Sequence, residues 1–144
     1  LKHEDCPGLN KLSAIRAAQA QQTLKPLSIL SGNGGGLFLP EELERGANGA
    51  MTGFAYPEMM VQVCQAHGAG QVSRAFDLFD AYLPLSRYEQ QPGIGLAVRK
   101  YILVKRGAIA SDTVRRPGPV LTQQDVADIE RLIQRQDKRL AELG

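Results

Sequence analysis

Ser28-Ile29-Leu30-Ser31-Gly32-Asn33-Gly34-Gly35-Gly36 is a short apolar run that breaks into four glycines within five residues. A helix-like stretch follows, Leu37 to Arg45, with Pro40 close to its start. Glycine lets the backbone approach a ligand and take up positive φ. A strand that ends in such a loop and enters a helix is one way to build an anion site from backbone N–H groups. The other reading is an ordinary flexible βα turn. The loop is not a Walker motif, because no Gly-Lys-Ser/Thr closes it. It is a poor dinucleotide fingerprint as well, with Leu37 in place of the third glycine and Thr52 near the position of the ribose acid.

On either side the pattern alternates. Asp5-Cys6-Pro7-Gly8 has turn or helix-start chemistry, and Leu9 to Gln21 reads as an amphipathic helix with Leu9, Leu12, Ile15 and Ala18 on one face. Thr23-Leu24-Lys25-Pro26 breaks it, and Leu27 to Leu30 reads as a buried strand. After the turn Gly46-Ala47-Asn48-Gly49, Ala50 to Phe54 is a second short apolar strand. Pro57, at a tolerated first-turn position, opens a helix to about His67. Helix–strand–helix–strand–helix at this spacing implies parallel strands with crossover helices, and glycine-rich loops at the strands' C-terminal ends, where α/β folds bind ligands.

From Gln71 only helices are expected. Gln71 to about Arg87 has Val72, Phe76, Phe79 and Leu83 on one face, and Ile94 to Arg106 is apolar on most sides and expected to be well buried. Gly107 caps that helix, Arg115-Arg116-Pro117-Gly118-Pro119 is a stiff linker, and Thr122 with Asp125 forms a capping box ahead of a last long helix.

The 144 residues are 43% hydrophobic and 22% charged, a globular composition sufficient for one ordinary core. A net charge of +2 gives no reason to expect nucleic acid or an acidic membrane surface as a partner. No apolar run approaches the roughly 20 residues needed to span a bilayer. Two cysteines are too few for a disulfide scaffold, so a cytoplasmic location is expected. The chain opens Leu1-Lys2-His3, without Met or a lead-in, which reads as the middle of a longer protein.

Chemistry-bearing residues are few. Lys2 sits at the end of a possible strand; a lysine is a useful nucleophile toward a ketone only when its pKa is depressed, and otherwise it is a solvated charge. Glu4 and Asp5 read as carboxylates facing a helix dipole. His3, Cys6, Cys64 and His67 have zinc-ligand types. However, Cys64 lies on an apolar face with Met60 and Val61, and His67 ends a helix roughly 15 Å from the His3 end of the layer, so no metal is expected. Phe54, Tyr56 and Tyr88 read as core or wall. No Ser/His/Asp set is readable around His3 or His67.

Several segments in register resemble one family. The run Leu1-Lys2-His3-Glu4-Asp5, the strand ending Leu30-Ser31-Gly32-Asn33-Gly34, Gly49-Ala50-Met51-Thr52-Gly53 followed by Pro57, Gly95-Leu96-Ala97-Val98-Arg99-Lys100 and Arg115-Arg116-Pro117-Gly118-Pro119 are similar to the second half of the dihydrodipicolinate synthase / N-acetylneuraminate lyase family. The resemblance covers essentially all 144 residues. It implies an α/β fold, a (β/α)8 TIM barrel with extra C-terminal helices, and class I Schiff-base chemistry on pyruvate or 2-keto acids without a cofactor. Residues 1–70 would then be the last three βα units (strands six to eight, the first unit truncated), and 71–144 the helical extension.

Carried over residue by residue, Lys2 falls on the Schiff-base lysine. Gly32, Asn33 and Gly34 fall on the loop that meets the substrate beyond its keto-acid end. Met51, Thr52 and Gly53 fall beside the bound keto acid. Sialic-acid lyases carry acidic residues in the loop where this chain has Asn33, Gly34 and Gly35, and dihydrodipicolinate synthases usually have one there too, so the resemblance implies another keto acid, a 2-keto-3-deoxy sugar acid, with dehydration or retro-aldol cleavage as the reaction. Dihydrodipicolinate synthase proper, a non-catalytic keto-acid-binding member and a zinc module are the alternatives. A barrel of this kind needs about 250 residues. The resemblance therefore implies pairing with a missing N-terminal half, an inactive isolated fragment, and a homodimer or homotetramer for the complete enzyme.

Overall fold

The computed structural model of the protein describes residues 1–5, 8–21 and 25–144. The strands are β1 (Lys2–His3), β2 (Leu30–Ser31) and β3 (Gly49–Ala50), all parallel and in the order β1-β2-β3. Lys2, Leu30 and Gly49 share one rung; His3, Ser31 and Ala50 share the next. Pairing continues past these limits: Leu30 N–H donates to Leu1 O (2.8 Å), Gly32 N–H to His3 O (2.7 Å) and Met51 N–H to Ser31 O (2.7 Å). Parallel neighbours need crossovers. These carry α1 (Leu9–Ala20) and α2 (Leu39–Glu44), and α3 (Pro57–Gly68) follows β3. Then come α4 (Val72–Glu89), α5 (Gly95–Lys105) and α6 (Gln123–Leu143).

Alternation along a strand separates the two faces of the sheet. His3 and Ser31 lie under the helices, 3% and 0% exposed, while Lys2 points to the opposite face. One continuous core joins Leu12 of α1, Leu39 of α2, Met59 and Val63 of α3, Leu85 of α4, Ile102 of α5 and Ile129 of α6. The capping box of α6 forms as the sequence predicts: Asp125 N–H donates to Thr122 Oγ1 (3.1 Å) and Thr122 N–H to Asp125 Oδ2 (2.7 Å). Pro57 opens α3 at its first turn, and Gly107 follows α5 in the left-handed region at φ 71°. No helix of the described residues is long and apolar enough to cross a membrane.

Several expectations shift. The second strand is displaced toward the loop: its ladder holds Leu30–Ser31, and Leu27 is 40% exposed. The third strand begins earlier than Ala50 and stops after it, leaving Met51 half exposed. Both strands are short: among the described residues the last ladder bonds are those donated by the Gly32 and Met51 N–H groups. On α1 only Leu12 is buried. On α4 the buried residues are Ala75, Leu78, Phe79, Ala81, Tyr82, Leu85, Ser86 and Glu89, a stripe rotated from the one expected, because α3 and α6 pack on that side. The helix α5 buries only Ala97, Val98 and Ile102, with Leu96 55% exposed, since α4 covers a single side of it. Val61 is exposed, so it does not share the inward face of Met60. Cys6, Pro7, Thr23 and Leu24, on which two of the expected turns fall, lie outside the described residues.

Candidate active site

Parallel strands bring their C-terminal ends to one edge, and that edge gathers Glu4, Gly32 and Met51 one step beyond the last rung. On the sheet face opposite His3 and Ser31, Lys2 Nζ lies 2.7 Å from Glu4 Oε1, with side chains 42% and 62% exposed. A pair this exposed contributes at most about 1 kcal/mol. The aliphatic part of Lys2 crosses the neighbouring strand at Gly32. A Cβ there would stand 2.6 Å from Glu4 Cγ and 2.8 and 2.9 Å from Lys2 Cγ and Cε. Glycine at 32 therefore leaves the lane in which Lys2 and Glu4 lie. Asp5, like Glu4, takes a lysine: Lys11 Nζ is 2.7 Å from its Oδ2, and this contact holds its carboxyl below the usual range.

The glycine loop forms a 3-10 turn, Gly34–Gly36, with Gly35 at φ 66°. That backbone conformation favours glycine, and a Cβ at 35 would also meet Ser86 Oγ at 2.7 Å. Asn33 does not face outward. It is 4% exposed, and its Nδ2 donates to Glu42 Oε1 (3.0 Å). Glu42, fully buried on α2, also lies 3.1 Å from His3 Nδ1 and accepts from Ser31 Oγ through its other oxygen. Thus the loop expected to be uncharged is built on a buried acid. Its exposed rim is backbone and Gly34, while Gly32 stands beside Lys2.

The third loop is fixed from behind. Arg99 Nη2 donates to Gly53 O (2.7 Å) and its Nε to Glu89 Oε1 (2.6 Å), while Ala55 N–H donates to Glu89 Oε2 (2.9 Å). Gln90 Nε2 adds a longer contact to Gly53 O (3.3 Å), and Ser86 Oγ donates to Gly35 O (3.1 Å). Burial pushes the Glu89 carboxyl up, against the pull of Arg99. Met51 is 52% exposed, and Thr52 and Gly53 are half-buried. The methyl of Thr52 faces Gly36, so the second and third loops touch.

The described zinc-type residues His3, Cys64 and His67 have other surroundings. His3 bonds Glu42, His67 Nε2 lies 2.7 Å from Glu44 Oε1, and burial pushes the Cys64 thiol up. Cys6 lies outside the described residues, among which no three His, Cys, Asp or Glu side chains gather around one point. Phe54 is core, and Tyr56 stacks under the Arg106 guanidinium at 4.1 Å.

Sequence reading singles out neither Glu42 nor the set Ser86, Glu89, Gln90 and Arg99. A signal was present for the acids. Glu42 stands three residues after Leu39 and one before Leu43, on the apolar side of its helix, and Glu89 stands seven after Tyr82. An acid at an inward helical position is paired or hydrogen-bonded.

No family model matches the chain. The crystal structure of a dihydrodipicolinate synthase from Rhodopseudomonas palustris superposes with a TM-score of 0.90 at 53% identity, over 94% of this chain and 44% of that one. A 4-hydroxy-tetrahydrodipicolinate synthase from Methylacidiphilum fumariolicum shares the fold, with a TM-score of 0.77 at 22% identity, over 99% of this chain and 46% of that one. In sequence, an L-2-keto-3-deoxyarabonate dehydratase of Azospirillum brasilense is 31% identical over 96 residues, which are 67% of this chain and 31% of that enzyme. The chain spans less than half the length of each of these relatives, and it belongs to the dihydrodipicolinate synthase / N-acetylneuraminate lyase family.

Proposed function

We propose that this chain is the C-terminal part of a Schiff-base-forming lyase acting on a 2-keto acid, with Lys2 as the nucleophile. Residues 1–70 supply the last three βα units of a (β/α)8 barrel and 71–144 its helical extension. One observation carries the reading. Lys2 stands at the C-terminal edge of a parallel sheet, on the exposed face opposite His3 and Ser31, in a lane that Gly32 keeps open. In a closed barrel that face is the interior, and the strand ends are where the chemistry sits.

Lysine attacks as the free amine. Glu4 Oε1, 2.7 Å from Nζ, is within reach of the proton that must leave. The amine adds to the ketone carbon, the oxygen departs as water, and the iminium draws electrons from C3. Loss of the C3 proton with expulsion of a β-hydroxyl gives dehydration, cleavage of the next C–C bond gives retro-aldol products, and water then hydrolyses the imine to free the product and the Lys2 amine. Gly32 and Gly34 present backbone to the substrate, and Met51, Thr52 and Gly53 flank the keto acid. Asn33 acts from beneath the loop through Glu42.

A 2-keto-3-deoxy sugar acid remains the leading substrate, supported by the absence of an acid from the rim of the loop and by the likeness to the arabonate-derived dehydratase. Condensation of pyruvate with aspartate semialdehyde is the second reading, favoured by the 53% identity to the Rhodopseudomonas palustris synthase. Coupled assays of the complete protein with each substrate separate the two. Lys2→Arg should abolish turnover on either while leaving the circular dichroism spectrum unchanged; a Lys2→Arg protein that still turns over excludes the mechanism.

A further inference from the structure

The helical segment reaches the strand-end loops through a small group of side chains at one place, the last turn of α4 and the facing side of α5. Arg99 is the bridge. Its Nη2 donates to Gly53 O (2.7 Å), and its Nε donates to Glu89 Oε1 (2.6 Å). Glu89, 1% exposed, accepts the Ala55 N–H on its other oxygen (2.9 Å). The carbonyl of Ala55 in turn accepts from Arg106, just beyond the end of α5. The backbone from Gly53 to Ala55 is therefore held at three successive points by charged groups from outside the sheet. The same turn of α4 also holds the second loop, since Ser86 Oγ donates to Gly35 O (3.1 Å).

We propose that Arg99 and Glu89 are positioning residues for the keto-acid site: together they fix the carbonyl of Gly53, and with it the Met51–Gly53 backbone that flanks the substrate. This rests on the Schiff-base reading above. The arrangement needs a forked donor. Arg99 serves two acceptors in different directions, whereas a lysine has one compact ammonium. Gly53 is glycine for the same reason, because a Cβ there would lie 2.7 Å from Arg99 Nη1. Arg99 and Glu89 bind the Gly53 and Ala55 backbone after β3, and Lys2 lies on β1 at the other side of the sheet, so the nucleophile is expected to stay in place when the pair is broken.

The test uses the complete protein and the variants Arg99→Ala, Arg99→Lys and Ser86→Ala. Wild type is first incubated with pyruvate and borohydride; absence of an adduct on Lys2 overturns the Schiff-base reading itself. With that adduct in hand, Arg99→Ala is expected to keep it but to raise KM for the substrate about tenfold or more, the scale of a small misplacement of positioning groups. Arg99→Lys is expected to recover little of the loss. A folded Arg99→Ala protein with unchanged kcat and KM, and only a lower Tm, overturns the proposal. So does full recovery by Arg99→Lys. If Arg99→Ala does not fold, Arg99→Lys carries the same KM criterion, and Ser86→Ala tests the anchor on the glycine loop: unchanged KM in both overturns the proposal.

Discussion

Replacing Glu42 by alanine should cost far more than its place on a six-residue helix suggests. The carboxyl is the shared partner of three buried groups: the His3 ring, Ser31 Oγ and Asn33 Nδ2. His3, Ser31 and Asn33 are 3%, 0% and 4% exposed, so bulk water does not reach them in the folded protein. Each orphaned polar group costs about 1–3 kcal/mol. Against this stands relief from the desolvation of the carboxyl itself, which leaves a loss of about 3–5 kcal/mol, as for other broken buried networks. Glu42→Gln keeps the shape and one carbonyl oxygen. Ser31 Oγ can rotate to accept from the new amide, so the loss should be about 1 kcal/mol. Urea denaturation of the complete protein measures both. Because Asn33 is tied to Glu42, the alanine variant should also loosen the glycine loop, read as faster amide exchange at Gly34–Gly36. A loss below about 1 kcal/mol for Glu42→Ala, or equal losses for Ala and Gln, would refute the reasoning.

Other consequences are smaller and separate. Gly32→Ala places a Cβ 2.6 Å from Glu4 Cγ and against Lys2; both side chains can swing away, so stability should change by less than about 1 kcal/mol while turnover falls about tenfold or more. Thr122→Ala removes the hydroxyl that accepts from the third N–H of α6 and should cost about 1 kcal/mol in thermal or urea unfolding. The Tyr101 hydroxyl donates to Glu130 Oε1 (2.7 Å), and this bond pushes its pKa up to about 12. A raised folded value means that this contribution is complete below the unfolded tyrosine value of about 10 and is lost as pH climbs through about 12. Wild type should therefore lose stability in that window more steeply than Tyr101→Phe.

The parts of the fold that depend on local chemistry were legible. Thr122 with Asp125, Pro57 and Gly107 mark helix ends by their own hydrogen-bonding and φ preferences, and each lies where expected. The parallel order of the strands followed from alternation with helices. Strand limits did not, because the ladder is set by the pairing register with the neighbouring strands, which a short apolar run such as Leu27 to Leu30 does not record. The buried face of α4 was misplaced for a related reason: Val72 and Phe76 are as apolar as the residues that pack, and only the positions of α3 and α6 choose among them. At the site, the family resemblance points to Lys2, Gly32 and the Met51–Gly53 loop. Their supports are not legible there, because Glu42 and Glu89 are 9 and 34 residues distant in sequence from Asn33 and Ala55, the groups they hold.

The most direct measurement is borohydride reduction of the complete protein in the presence of pyruvate, followed by peptide mass mapping. The expected result is a single reduced adduct on Lys2, absent from Lys2→Arg. A folded protein with no adduct, or an adduct on another lysine, would contradict the assignment of Lys2 as the nucleophile.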